Sequence, residues 1–569
     1  MINILFKKLA IPKNMIIISA YLFFFIVGIV YFPSTGRDDS HITYWAAYTL
    51  SEYGSLFNYN AETIEQSSSL LHVLILSIFS AILPINIVTL GYILSIAFGS
   101  IAIHILTRYM IKKEGNIFIF LPWLVFSLSI YIYWSFGGLE STLATFIFIL
   151  FIVLFNNYIE RGGLKRFLLL GVVIFMMLLV RPEIIIVLLC FFLAMYCIVY
   201  VKNKLYNIYE TVKIRVLYTG GIFFFSSIII IFVRYYYTGM FFPLPVIAKS
   251  GSISFLRLQE GFEYFINTLF TLNSIIILII LFISINMSLF RILNRKNKFN
   301  FFTISLSLLV VIYFAFIITS GGDWMEAGRF FVPILPIIVT LALLLLNKLK
   351  NKKVTITIIL VIIVMQVITM FEIKRVTSFH LKDYTEISQY NLPSSYSFFE
   401  KMNRVHLRDI PLSENLKKTI HIINYNNKDN ITIMSPYAGM VIFQVMKEYF
   451  RTVKFIDMYG LTTSDVSNCP LVSTTLNSNE GIKMTMRYFF KHTIELESLC
   501  NIELPDIIFS RNLEKQLKGQ PYFIIYSQKI SKIYKGSFNK NKTPLNSIMQ
   551  IAVHNKYLKL FNQNSTWYW

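Results

Sequence analysis

The chain has 569 residues, 56% of them hydrophobic, 16% aromatic and only 14% charged. So few charges beside so much Phe, Ile and Leu exclude an ordinary soluble globular protein, and the apolar residues fall in runs of about 17–25, the length that crosses a hydrocarbon core. The net charge of +22 does not mark a nucleic-acid binder, because the basic residues sit in short clusters between apolar runs, as orienting cytoplasmic loops do.

In chain order, "MINILFKKLAIPKN" and "MIIISAYLFFFIVGIVYF" have the basic and apolar parts of a signal sequence. The apolar part is too long and no small-residue cleavage site follows, so an uncleaved first span is expected. Length alone places spans at 15–32, 86–107, 116–134, 141–158, 165–180, 184–201, 214–236, 272–290, 300–319, 329–346 and 354–371, or about 11 crossings. The run 69–83, "SLLHVLILSIFSAIL", is short and is read as interfacial or re-entrant. Basic residues collect in alternate loops, at Lys7–Lys13, Arg108–Lys113, Arg161–Arg166, Lys202–Arg215, Arg291–Lys298 and Lys348–Lys353. The opposite loops hold only Arg37, Arg181, Arg234, Lys249, Arg257 and Arg329. Counting 69–83 as a crossing would invert every later loop and erase this asymmetry, so the N-terminus is expected inside and the C-terminus outside.

Beyond residue 373 the apolar runs stop. Residues 1–373 read as a membrane domain and 374–569 as an extracytoplasmic soluble domain of one compact unit's size. Short runs such as "NITIMS", "TVKFIDMYGL", "PDIIFS" and "PYFIIYSQ", with "YAGMVIFQVMKEY" at helical spacing, predict a small α/β fold there. Four cysteines are too few for a disulfide framework or a metal cluster. Cys190 and Cys197 lie in an apolar run and read as inert, whereas Cys469 and Cys500 would pair as a disulfide in an exported domain.

The ionisable residues that interrupt apolar runs fall on the outer side. They are Asp38, Asp39 and His41 in "STGRDDSHITYW", Glu140 in "WSFGGLEST", and Arg181 and Glu183 in "LVRPEI". Arg234 and Lys249 follow in "VRYYYTGMFFPLPVIAKS", then Asp323, Glu326 and Arg329 in "TSGGDWMEAGRFFVP". Each alone has a plain explanation. An Asp can cap an interfacial helix, here one with Ile42, Trp45, Ala46, Leu50 and Tyr53 on its apolar face, arginines snorkel, and Gly-Gly pairs turn. Together they point to one water-accessible cavity of mixed charge, since membrane-edge charges cost several kcal/mol unless paired or hydrated. Carboxylates there can take protons, and Arg or Lys can hold a phosphate. Glycosyl transfer from a polyprenyl-phosphate sugar fits this inventory and needs no nucleotide, in keeping with the lack of a Gly-rich nucleotide loop.

The stretch "DDSHITYWAAYTLSEYGSLFNYNAETIEQSSSLL" resembles the first outer loop of membrane-embedded GT-C glycosyltransferases, most nearly the arabinofuranosyltransferases of the mycobacterial cell wall and their relatives that decorate pilins. That group shows Asp-Asp-Ala-Tyr/Phe-Ile, a Gly-Leu-Phe-Asn-Pro-like turn and a Glu-Gly-Tyr-Thr-like segment, which read here "DDSHI", "GSLFNYN" and "IEQSSSLL". Further matches follow in order: "GGLEST", "RPE", "YYYTGMFFPLPVIAK", "GGDWMEAGRFFVPILP" and "FIDMYGLTT", so the resemblance covers about residues 36–465. Ser40-His41 and the missing Asn in "PLPVIA" depart from the pattern and bear on which donor is used.

The resemblance implies a GT-C-like polytopic α-helical fold with an outer α/β domain. It implies inverting transfer of a single sugar, arabinofuranose or another pentose or hexose, to a cell-surface glycan, lipid-linked glycan or pilin. It makes Asp39 or Asp38 the catalytic base, with Asp39 favoured, and assigns Lys249, Arg329 and Arg234 to the donor phosphate. Glu140, Arg181 and Asp323 would line the pocket, with Glu326 beside them; no cofactor is required, and a divalent cation at Asp38 with Glu140 is an option. The expected partners are the polyprenyl-phosphate-linked donor, a glycan or glycoprotein acceptor and the bilayer, without nucleic acid. The expected place is the bacterial inner (plasma) membrane, with the soluble domain on the periplasmic or extracellular side as a lid or acceptor platform. Two other readings stay open: a Wzy-like O-antigen polymerase or ligase, and a transporter or membrane scaffold.

Overall fold

The computed structural model describes residues 13–31, 38–206, 210–249, 255–271, 301–323, 328–349, 351–372, 409–426, 430–463, 466, 502–511, 513, 517, 520–530 and 547–562. The chain divides into two compact units, each discontinuous in sequence. Met1–Ser34, Tyr92–Val233 and Phe255–Lys382 form the first, and Thr35–Gly91, Arg234–Ser254 and Asp383–Trp569 the second.

The chain is a mostly helical, multi-pass membrane protein. Among the described residues, five helices are long and apolar enough to cross a bilayer: Ile87–Glu114, Ser141–Arg161, Ile184–Val201, Glu210–Thr238 and Phe301–Thr319. Phe224, Phe225 and Phe232 stand exposed on one of them, as on a lipid-facing helix. The predicted span 116–134 is instead a bent pair, Asn116–Phe126 and Ser129–Ser135, meeting at 72°. At the break Leu128 leaves the helix, extended at φ −79°, ψ 113°, and its amide donates to the Val125 carbonyl at 3.1 Å. The window 329–346 is likewise divided, into a 3₁₀ turn at Arg329–Phe331 and a helix at Leu335–Leu346. Pro333 and Pro336 cannot continue a preceding helix, and Pro336 sits in the first turn of the new one. Helix Phe255–Thr271 packs on Phe301–Thr319 through Gly261, where a Cβ would lie 2.0 Å from the Ile318 carbonyl oxygen. The window 272–290 lies outside the described residues.

The second unit contains a five-stranded sheet in the order β2-β1-β3-β5-β4. Its strands are β1 (Ile431–Ser435), β2 (Val453–Asp457), β3 (Ile507–Arg511), β4 (Tyr522–Ile530) and β5 (Ser547–His554). β1 pairs in parallel with β2 and β3, while β5 pairs antiparallel with β3 and β4. Helix Met440–Tyr449 makes the β1-to-β2 crossover that a parallel pair requires. Every residue of β1 is buried, Thr432 and Ser435 included, as in a strand covered on both faces.

The first loop belongs to this unit. Residues 57–63 form a tight turn in which the Asn58 side-chain oxygen accepts from the amides of Asn60 and Glu62. The Asn60 carboxamide then pairs with the edge strand β2 as a peptide would: its Nδ2 donates to the Phe455 carbonyl at 2.9 Å, and the Phe455 amide donates to its Oδ1 at 2.7 Å. Tyr59 donates to the Ala438 carbonyl at 2.8 Å, and Asn58 Nδ2 to that of Thr462 at 3.0 Å. A sheet edge that would otherwise present unpaired amides is thereby covered. Helix Leu70–Ile82 follows; its 13 residues span about 20 Å, less than a hydrocarbon core of about 30 Å.

Candidate functional site

The acidic pair sits in a turn that opens helix Ser40–Tyr53. The Asp38 carbonyl accepts from the His41 amide at 3.1 Å and the Asp39 carbonyl from Ile42 at 3.2 Å. Its apolar spacing reads as a surface helix, yet His41, Ile42, Tyr44, Trp45, Ala46 and Ala47 are all buried. The reason is a partner helix distant in sequence. The His41 ring lies 5.4 Å from Phe443, Trp45 lies 5.2 Å from Phe450, and Lys447 stands 5.3 Å over the Tyr48 ring. The contacts run from Asp38–Met440 and His41–Phe443 at one end to Tyr53–Phe450 at the other, so helices Ser40–Tyr53 and Met440–Tyr449 run parallel with their N-termini together. Asp38 Oδ1 accepts from the Met440 amide at 2.8 Å. Two helix N-termini, each with about half a positive charge, therefore meet at Asp38 and Asp39 and offset the repulsion of adjacent carboxylates.

Also in the second unit, Arg234 forms a two-point ion pair with Glu65: Nε to Oε2 at 2.5 Å and Nη2 to Oε1 at 3.1 Å. Both side chains are buried, and the Glu65 carbonyl accepts from the Leu244 amide at 3.0 Å. Burial pushes the Glu65 carboxyl above its ordinary range, and the Arg234 guanidinium pulls it back. Arg234 Nη1 is buried without a hydrogen-bond partner among the described residues. Lys249 ends the helix Leu244–Lys249, and its side chain lies outside the described residues.

The first unit holds a second charged cluster. Arg181 donates from Nη1 to Glu140 at 2.6 Å and from Nε to Glu183 at 2.5 Å. Arg329 donates from Nε and Nη2 to the two oxygens of Asp323, at 2.7 and 3.2 Å. The Phe330 ring joins the two pairs, 5.0 Å from the Arg181 guanidinium and 5.6 Å from that of Arg329. Local sequence explains both placements. Pro182 forces Arg181 into an extended conformation (φ −152°, ψ 123°) and stops helix Leu164–Val180. Gly321 and Gly322 adopt left-handed φ values of 83° and 77°, turning the chain so that Asp323 reaches back to Arg329.

Of the residues expected from the sequence, the structure pairs Arg181 with Glu140 and Arg329 with Asp323, and gives Arg234 a partner, Glu65, that sequence reading missed. The signal for Glu65 was present in "IEQSSSLL", but its partner lies 169 positions away. Phe330 and Gly439-Met440 were also missed, because neither residue type announces a site. Glu326, Cys469 and Cys500 lie outside the described residues. Among the described residues, no three His, Cys, Asp or Glu side chains are grouped to hold a metal ion.

No family model and no curated protein matches the chain by sequence. Solved structures do. ArnT from Cupriavidus metallidurans in the apo state aligns with a TM-score of 0.50 at 10% identity, covering 95% of this chain and 97% of that one. The archaeal oligosaccharyltransferase AglB from Archaeoglobus fulgidus, in complex with an inhibitory peptide and a dolichol-phosphate, aligns at 0.47 with 11% identity, covering 97% and 77%. At these identities the likeness to ArnT is one of fold alone.

Proposed function

We propose that the protein is a GT-C membrane glycosyltransferase that moves a single sugar from a polyprenyl-phosphate donor to a cell-surface glycan, lipid-linked glycan or pilin. The carrying observation is the acidic pair at the joined N-termini of two helices, in one unit with the buried Arg234–Glu65 pair. Support comes also from the ArnT-like fold and from ArnT itself having been crystallised with undecaprenyl phosphate.

In the proposed reaction, the Asp39 carboxylate takes the proton of the acceptor hydroxyl as its oxygen bonds to the anomeric carbon. The bond from that carbon to the phosphate oxygen breaks, its electron pair leaves with the polyprenyl phosphate, and the anomeric configuration inverts. Negative charge grows on the departing phosphate. Arg234, whose Nη1 is not used by Glu65, and Lys249 are assigned to stabilise it more strongly in the transition state than in the ground state. Arg181, Glu140, Asp323, Glu326 and Arg329 are assigned to donor recognition.

The proposed setting is a bacterial plasma membrane crossed by about 11 helices, with residues 1–373 the membrane domain and 374–569 an exported domain that selects the acceptor and is stiffened by a Cys469–Cys500 disulfide. Within this reading, the arabinofuranosyltransferase group supplies the first donor to try. The test compares surface glycans and pilins from cells with and without the gene and from cells carrying Asp39→Asn. Loss of one sugar residue in the last two is expected; an unchanged glycan profile in Asp39→Asn at normal protein level refutes the base assignment.

A further inference from the structure

Helix Met440–Tyr449 opens on Gly439, a residue with no side chain to cap it. Ser, Thr, Asp or Asn would normally accept the first amides from that position. Here the acceptor comes from 402 positions earlier, as Asp38 Oδ1 takes the Met440 amide at 2.8 Å. The glycine is what admits it. A Cβ at Gly439 would stand 2.1 Å from Asp38 Oδ1, 2.3 Å from its Cγ and 2.4 Å from its carbonyl oxygen. The contact is held along its length by the parallel helix pair, through His41 on Phe443, Trp45 on Phe450 and Lys447 over Tyr48.

We propose that Asp38 is a latch rather than the base, and that Gly439 with the Met440 amide positions the acidic pair from the C-terminal sheet domain. The proposal rests on the glycosyl-transfer reading above. Fastening Asp38 fixes the turn from which Asp39 projects, one residue on and at the start of the same helix. The sheet domain then does more than meet the acceptor: it sets the geometry of the base. Latch and base differ in what they tolerate. An asparagine at position 38 still offers an oxygen to the Met440 amide, whereas an asparagine at a general base cannot hold the acceptor's proton.

The experiment uses the full-length protein in a strain lacking its own copy, with the rate of surface-glycan transfer as one readout. Hydrogen exchange at the Met440 amide in the purified protein is the other. Asp38→Asn should transfer within about threefold of wild type and keep Met440 protected, while Asp38→Ala should lose protection. Asp38→Ala and Gly439→Ala should each lose about 10²-fold in transfer, the cost of a misplacement near 1 Å. Asp39→Asn should lose about 10²–10⁴-fold with Met440 still protected. Only Asp39→Asn should abolish the acidic limb of the pH–rate profile. If Gly439→Ala does not accumulate, Asp38→Ala tests the same contact without adding an atom. An Asp38→Asn variant as inactive as Asp39→Asn, with protection retained, would make Asp38 the base and overturn the latch while leaving the transfer reading intact. Wild-type transfer by folded Gly439→Ala and Asp38→Ala would end the positioning role. Wild-type transfer by both Asn variants would refute the base assignment, whereas transfer that does not differ between cells with and without the wild-type protein would refute the glycosyl-transfer reading; in either case the exchange data would still report whether Asp38 holds Met440.

Discussion

Replacing Arg234 by Met removes a guanidinium from a pair whose side chains are only 3% and 5% exposed. Glu65 then loses both of its bonds to Arg234 but stays buried. The intact pair is worth little net, because its Coulomb energy largely offsets the cost of desolvating both ions. Stranding one partner is what costs, about 3–5 kcal/mol. In a unit of this size that corresponds to a fall of about 6–20 °C in Tm, measurable by scanning fluorimetry in detergent. Adding Glu65→Gln should return most of the loss, leaving about 1–2 kcal/mol for the missing hydrogen bonds. The sign with pH follows from the direction of the shift. Burial raises the Glu65 pKa in the folded protein, so between the unfolded and folded values the native state binds more protons, and stability falls as pH rises. Without Arg234 the raising influence is unopposed, so the deficit of Arg234→Met should be largest at neutral pH and shrink on acidification. A deficit below about 1 kcal/mol, or a double variant as unstable as the two single losses added, would refute the stranded-charge reasoning.

Two further outcomes follow from the same kind of reasoning. Asp457 is buried at the end of β2 and accepts from the amides of Tyr459, Leu461 and Thr462, yet burial pushes it up to about 6 from 3.8. A raised carboxyl makes stability fall as pH rises through that window, by up to about 3 kcal/mol; Asp457→Asn should flatten the slope in pH-dependent melts, and an unaltered slope would exclude Asp457 as its source. Gly261→Ala places a methyl group 2.0 Å from the Ile318 carbonyl oxygen, so helices Phe255–Thr271 and Phe301–Thr319 must separate. The expected loss is about 1–3 kcal/mol, seen as reduced yield and earlier aggregation on heating, and wild-type behaviour would show that this crossing is loose.

Much of the membrane architecture was legible because a bilayer imposes one requirement on every spanning residue: it must be apolar over a known length. Ser141–Arg161 and Phe301–Thr319 answer directly to that rule. The bend at Ser127–Leu128 did not, because it comes from one residue, Leu128, leaving helical geometry inside an otherwise apolar run. The site divides in the same way. Arg181 before Pro182 and Asp323 after a Gly-Gly pair were visible as charges where apolar runs stop, and their backbone conformations are local consequences of those neighbours. The helix Ser40–Tyr53 was visible as a helix but was read as lying on a surface, since nothing in its own residues shows that Phe443 and Phe450 cover it.

By itself the sequence determined which segments are apolar enough to leave water, that short strands follow the last long apolar run, and where carboxylates and guanidinium groups interrupt the greasy runs. All of these depend on neighbours a few positions away. Only the tertiary structure decided that Glu65 neutralises Arg234 and that Asp38 caps a helix beginning at Met440. It also decided that Asn60 completes the edge of β2. Those pairings join residues 169 to 402 positions apart; a buried charge or open amide demands some partner, but which one is settled by how the chain packs.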